Sequence, residues 1–213
     1  DYIESIGGKA VMTSSTHQRA SDRAAEAMCK IEKETGEEID ILVMVQGDEP
    51  MDTPTMISDA LKPICKDETV DVVNLMGRIE TIEEFEDPNT VKVVVGPDDN
   101  AIYFSREPIP SRAKGATDVP MLKQICVIPF RRAYLLMFNR LPETPLEKIE
   151  SVDLNRIIEN GGKIRMVLAD SRTIGVDTIQ EAKDAEALLK NDPAFKYYKD
   201  KNCCWLIKQD DFE

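Results

Sequence analysis

A largely apolar run over residues 39–44, breaking into Val45-Gln46-Gly47-Asp48-Glu49-Pro50, limits the fold more tightly than any other stretch. A short apolar segment of this kind reads as a strand buried on both faces, the habit of parallel sheets covered by helices. In open sheets of that type, ligands lie just beyond the carboxyl ends of the strands. An amide, a glycine and two carboxylates at that point put Asp48 and Glu49 where a hard cation carrying a phosphorylated substrate is held. An ordinary polar turn accounts for a lone Gly-Asp equally well, so the rest of the chain decides between the two.

The rest alternates between strand and helix signals. A short strand is expected at 10–13. Ser21 is expected to cap a helix reaching Glu34, with Ala24, Ala25, Met28 and Ile31 at helical spacing. Pro54, suited to a first helical position, opens a helix to Cys65. Strands follow at 70–76 and 91–95. The turn Pro97-Asp98-Asp99-Asn100 then sends the chain back antiparallel over 101–105. A strand at 124–129 leads into a helix ending near Asn139. Thr144-Pro145-Leu146-Glu147 is a capping box for a helix that runs to Asn160 and stops at Gly161-Gly162. A last strand covers 164–168, and Asp177-Thr178 opens a helix to Lys190. Strands alternating with helices predict an α/β fold, its sheet mostly parallel with one antiparallel hairpin insertion. One domain is expected over residues 1–190, with a tail over 191–213. The opening residues before Gly7-Gly8 look like the end of a helix, which hints at chain upstream.

Lys and Arg number 27 against 40 Asp and Glu, a net charge of −13. So acidic a surface repels polyanions, so neither nucleic acid nor an anionic membrane is an expected partner. It admits a mononucleotide whose phosphates are offset by a cation. No apolar run approaches the length of a membrane span, and the opening residues do not read as a secretory leader. The five cysteines are irregularly spaced and lack metal-ligand pairing. Cys29, Cys65 and Cys126 are expected as buried thiols of a cytoplasmic protein, with Cys203-Cys204 an incidental pair in the tail.

Three strand ends are candidates for one site: Gln46-Gly47-Asp48, Ser105-Arg106 and Gly175-Val176-Asp177-Thr178. Asp48 and Asp177 make a plausible clamp for Mg²⁺, which is commonly held by one or two carboxylates plus substrate phosphates. Asp177 also suits a helix cap. Arg106 can neutralise a carboxylate or phosphate, or it is a solvated loop arginine. Arg23, one turn into its helix, can face nucleotide phosphates or pair with Glu26. No Ser/His/Asp or Cys/His arrangement is evident, and phosphoryl-type transfer by positioning and metal requires none.

Six stretches, in this order and spacing, resemble the 3-deoxy-manno-octulosonate cytidylyltransferases over about residues 1 to 190. They are residues 13–23 (TSSTHQRASDR), 45–50 (VQGDEP), 87–95 (DPNTVKVVV), 101–110 (AIYFSREPIP), 144–150 (TPLEKIE) and 175–178 (GVDT). The resemblance implies a Rossmann-like nucleotidyltransferase three-layer sandwich. It implies that CMP passes from CTP to the anomeric hydroxyl of a 2-keto-3-deoxy sugar acid, releasing pyrophosphate, with Mg²⁺ held by Asp48 and Asp177. Gln46 would contact the sugar beside the nucleotide, Arg23 the nucleotide, and Arg106 the sugar carboxylate. A homodimer is expected, with the hairpin and residues 100–130 as the interface. Lys92 lies in the matching stretch without an assigned role. Upstream of Asp1, the family carries a first strand and a phosphate loop bearing Arg, Ser and Lys. The family's His-Leu-Gly-Ile-Tyr stands here as Gln124-Ile125-Cys126-Val127-Ile128, and its Glu-Gln pair as Asp153-Leu154. Gln124 and Asp153 would therefore line an altered sugar pocket, which points to an acid related to the standard octulosonate. A non-catalytic binding relative and an enzyme for another nonulosonate stay open as alternatives.

Overall fold

One bent strand organises the sheet. In the computed structural model, which describes residues 2–5, 7–170, 173–176 and 178–192, β5 (Leu122–Ile125) and β6 (Val127–Arg131) are halves of a strand interrupted at Cys126. Along one side runs β2 (Val73–Arg78), antiparallel, with Leu75 opposite Ile125 and a further bridge from Val72 to Phe130. Along the other side lie β1 (Ile41–Val45), antiparallel to β6, and β3 (Lys92–Val95), which meets β5 at Lys92 opposite Lys123. β4 (Ala101–Ser105) returns antiparallel on β3, and β7 (Arg165–Leu168) pairs parallel with β2. β1, β2 and β7 therefore run the same way, as expected of an α/β core, and the bent strand lies antiparallel between β1 and β2.

Side chains alternate across the sheet and feed two cores. On one face Leu75, Ile125 and Val127 meet Met56 and Ala60 of α3 (Pro54–Lys66). That helix starts where Thr53 accepts from the Met56 amide and Pro54 supplies a preset first turn. On the other face Val72, Ile128 and Phe130 pack with α2 (Ala20–Thr35), α5 (Arg132–Phe138) and α7 (Leu154–Glu159) through Met28, Phe138 and Leu154. Helices on both faces of a sheet make the expected three layers. The short helices α1 (Tyr2–Ser5), α4 (Ile82–Glu86) and α6 (Pro145–Glu150), with α8 (Ile179–Leu189), complete the described elements.

Several local expectations give way. The 39–45 run is not buried on both faces. β1 pairs only with β6 among the described residues, and of its side chains only Met44 is buried. Its other edge opens on a groove of about 720 Å³ shared with α2. Residues 10–13 form no strand; they run along α2, tied by Lys30 Nζ to the Met12 carbonyl and by the Ser14 amide to Glu26. Ser21 does not cap α2, which begins at Ala20; it is buried and donates to Asp153 at 2.7 Å. The helix expected over 144–160 breaks in two at Ser151, whose φ of 53° is left-handed. α4 had no counterpart in the expected elements. Cys29 and Cys65 are exposed rather than buried and Cys126 is half-buried, because helical cysteines on an outward face gain no burial from apolar neighbours in sequence. Cys203 and Cys204 lie outside the described residues.

Across the helix break, Glu147 and Arg156 form a buried ion pair. Nε donates to Oε2 at 2.7 Å and Nη2 to Oε1 at 2.5 Å, while the guanidinium lies 4.6 Å from the centre of the Phe138 ring. Glu147 is wholly buried. Arg156→Met removes both charge-assisted bonds to that carboxylate and leaves it only Arg19, at 3.8 Å, as a counter-charge, and should lower unfolding free energy by about 3 kcal/mol. Combining it with Glu147→Met should recover most of the loss. Urea denaturation reads both, and a wild-type midpoint for the single variant refutes the pair as an anchor.

Candidate functional site

The ladder of β1 continues one residue past the strand, where the Gln46 amide donates to the Cys126 carbonyl at 3.2 Å. The chain then turns through Glu49 N to Gln46 O and Asp52 N to Glu49 O, each 3.3 Å, and enters α3 at Thr53. This loop is thus set by the bend of the central strand on one side and a helix start on the other. Asp48 is exposed at its tip. Its carboxylate accepts no hydrogen bond from the described residues, and its carbonyl accepts from the Val176 amide at 2.8 Å. Asp48 borders two hollows. One is the groove against α2, lined also by Arg23 and Gln46. The other, about 610 Å³, lies between the loop and the Ala182, Ala185 and Leu189 face of α8.

Behind Asp48 stand two further carboxyl groups. Glu49 Oε2 and both Asp52 oxygens are out of contact with solvent and have no hydrogen-bond partner among the described residues. Burial, with the charges of Asp52 and Asp48 added, pushes Glu49 up to about 7. Burial and the Asp48 charge push Asp52 up to about 6. The Cys126 thiol is raised by its own burial and then by Glu49, Asp48 and Asp153. The three carboxyl groups are hard oxygen donors, suited to a Mg²⁺-type ion and not to a soft metal. Among the described residues no three such side chains converge to hold a metal by themselves. Asp177 lies outside the described residues. The N-cap of α8 is the adjacent Thr178, whose hydroxyl accepts from the Glu181 amide at 3.2 Å.

Arg23 does not pair with Glu26. Its guanidinium donates to the carbonyls of Ser14 and His17 at 3.1 and 3.0 Å and to the Thr13 hydroxyl at 3.3 Å. Glu26 instead accepts from Lys30, the Ser14 amide and His17, which hold it down at about 2. Both residues thereby fasten the 13–17 loop to α2. Arg106 is held by main chain: its amide donates to Glu150 Oε2 at 2.8 Å, Nε to the Glu150 carbonyl at 2.7 Å and Nη1 to the Pro88 carbonyl at 2.8 Å. Ser105 and Tyr103 donate to the other oxygen of Glu150, each at 2.8 Å. Lys92, fully buried, donates to the carbonyls of Asp87, Thr90 and Arg106. Gln124 lies half-buried on β5 and Asp153 receives Ser21 at the start of α7. Arg23, Gln46 and Asp48 thus share one groove, while Arg106, Gln124 and Asp153 do not line it. Unread in the sequence were the burial of Glu49 against Asp52, and Lys123, which precedes the strand expected at 124–129 and falls inside β5 in the structure.

Residues 1–164 match a protein family described as cytidylyltransferase. The chain is 37% identical over 188 residues to the 3-deoxy-manno-octulosonate cytidylyltransferase of Geobacter metallireducens, covering 84% of this chain and 72% of the relative. It is 36% identical over 191 residues to the enzyme of that name from Christiangramia forsetii, covering 89% and 75%. Among solved structures, it superposes on a CMP:2-keto-3-deoxy-manno-octonic acid synthetase complexed with CTP, with a TM-score of 0.76, 35% identity, and coverage of 88% and 75%. A putative glucose-1-phosphate thymidylyltransferase from Bacillus anthracis shares the fold at 12% identity and a TM-score of 0.56, over 89% of this chain and 69% of that one.

The pair behind Asp48 has a pH signature in metal-free buffer. Raised in the folded state from 4.5 to about 7, Glu49 favours folding while both states are protonated, and that contribution is lost as pH rises from 4.5 toward 7. Glu49→Gln should therefore unfold at higher free energy than wild type at mildly alkaline pH, by on the order of 2 kcal/mol, and equal it below the unfolded carboxyl range. Thermal unfolding with a chelator present measures this, and a constant difference across pH refutes it.

Proposed function

The chain belongs to the cytidylyltransferase family, and from that membership we propose that it transfers CMP from CTP to the anomeric hydroxyl of a 2-keto-3-deoxy sugar acid, releasing pyrophosphate. The acceptor is the 3-deoxy-manno-octulosonate named in its relatives, or an acid closely related to it. The observation that carries this reading is the groove in which Asp48, its carboxylate accepting no hydrogen bond from the described residues, faces Arg23 and Gln46. A protein with a net charge of −13 there offers an exposed anchor for a cation next to a cation of its own.

Asp48, with Asp177, holds a divalent metal, and its hard oxygen donors favour Mg²⁺. When bound, that ion neutralises charge on the phosphate oxygens under attack. Arg23 keeps its guanidinium at the groove wall, pinned by three loop acceptors, where it meets nucleotide phosphate. Gln46 orients a sugar hydroxyl, its backbone tied to the central strand. Arg106 pairs with the sugar carboxylate through Nη2, the guanidinium nitrogen without a partner among the described residues. Gln124 and Asp153 shape the far side of the sugar pocket. Burial pushes the Asp153 carboxyl above its ordinary range, against the hydrogen bond from Ser21. Ile128, where the family has tyrosine, is buried in the core and offers no hydroxyl, which supports a related rather than identical acid. We place the reaction in the cytoplasm, where CTP is available, and assign a homodimer through the β3–β4 hairpin, whose Ile102 is 55% exposed.

Pyrophosphate release by the full chain from CTP and Mg²⁺, with a panel of 2-keto-3-deoxy sugar acids, tests the proposal. Turnover with at least one acid is expected, and none with any acid overturns it. Asp48→Ala should lower kcat by about 10³ or more. Arg106→Ala should raise the KM for the acid by about 10- to 100-fold and leave that for CTP unchanged, the loss of a charge-assisted pair.

A further inference from the structure

Lys123 sits inside β5 and is only 9% exposed. Across the ladder it faces Gly77 on one side and Lys92 on the other. A Cβ on Gly77 would lie 3.4 Å from Lys123 Cε, so the glycine leaves open the lane that the lysine stem follows. At the end of that lane Nζ donates to Glu84 Oε1 and to the Thr173 carbonyl, both at 2.7 Å. Glu84 is itself fixed in the first turn of α4, where its amide donates to the Thr81 hydroxyl at 3.1 Å. Thr173 is 2% exposed. Three residues later, the Val176 amide donates to the carbonyl of Asp48. The described segment 173–176 is thus fastened at one end to the Lys123 ammonium and at the other to the backbone of the Asp48 loop.

We propose that Lys123 is a positioning residue for the metal-binding half of the site: it holds the 173–176 strap against the Asp48 loop and so fixes the backbone that carries Asp48. The inference rests on the reading in which Asp48 and Asp177 hold the metal. Burying an ammonium is costly unless it is matched by acceptors. Glu84 alone would match its charge, so the second bond to Thr173 is what adds position. Lys92 differs, since its acceptors are all carbonyls and it fastens the Arg106 end of the site. The positive charge of Lys123 also bears on Glu49, where it favours the ionised carboxyl.

Lys123→Met keeps the volume of the stem and removes the donor. Expected are faster hydrogen exchange at the Val176 amide by about tenfold or more, with core amides such as Leu75 unchanged, and a rise of about tenfold in half-saturating Mn²⁺ measured by electron paramagnetic resonance on the protein with the metal alone. Half-saturating Mg²⁺ for turnover should rise in step, with kcat at saturation less affected. Glu84→Gln, which leaves the Thr173 bond, should lower the unfolding temperature and leave Mn²⁺ affinity in place. If Lys123→Met does not fold, Lys123→Gln is read by the same three measurements. Wild-type metal affinity and Val176 exchange in the folded variant overturn the proposal, as does acceleration spread evenly over all amides. A wild-type chain without turnover would overturn the proposed reaction and leave the exchange measurement to judge Lys123.

Discussion

Main-chain hydrogen bonds on the two edges of the bent strand hold the loops of the candidate site in place. The Cys126 carbonyl takes the Gln46 amide, the Gln124 amide reaches the Val91 carbonyl, and the Arg131 amide reaches that of Asp71. These contacts fall on the same strand within a few residues of its bend. Backbone pairing fixes strand spacing at about 4.8 Å whatever the side chains are. The loop after β1 and the start of β3 therefore share one ruler. Farther out, side chains take over: Glu150 gathers Tyr103, Ser105 and Arg106 onto one carboxylate, and Asn155 of α7 exchanges hydrogen bonds with both backbone groups of Phe104.

Charge is arranged against this frame in an unusual way. Two lysines face each other across β3 and β5 and are among the buried residues of the sheet. Lys92 delivers its ammonium to three backbone carbonyls, and Lys123 to the Thr173 carbonyl and the Glu84 carboxylate, each beside a loop flanking the site. The carboxylates do the opposite: Glu49 and Asp52 are crowded behind Asp48 with oxygens that lack partners among the described residues. An arrangement built for stability alone would avoid such oxygens. Local rules are broken most often where a site needs it, and here the breach lies one residue from the exposed Asp48.

How much was legible in the sequence depended on how local each cause was. Thr53-Pro54 and the Thr144–Glu147 capping box name their helix starts because cap and partner are three residues apart. The β3–β4 hairpin is announced by its own turn. The partner of β1 is not, because an apolar run signals burial without saying which strand lies beside it. Ser21 reads as a cap until Asp153, 132 residues away, is found to take its hydroxyl. Of the site, Gln46 and Asp48 were legible through their place at a strand end. Glu49 was legible beside them as a cation-site carboxylate but not as a buried group, and Asp52 and Lys123 were not legible, since charged residues are assigned to the surface by default and only packing shows them inward.

The bend at Cys126 separates two kinds of change that natural variation can make. The loop bearing Asp48 is moored to the backbone of residue 126, and β3 to that of residue 124. Side chains at 124 and 126, neither of them in the buried core, can therefore be exchanged during divergence without moving either mooring. Under the proposed reaction, acceptor preference can then drift from one acidic sugar to another while the groove holding Asp48 and Arg23 keeps its shape, so the acid can change without rebuilding the nucleotide chemistry.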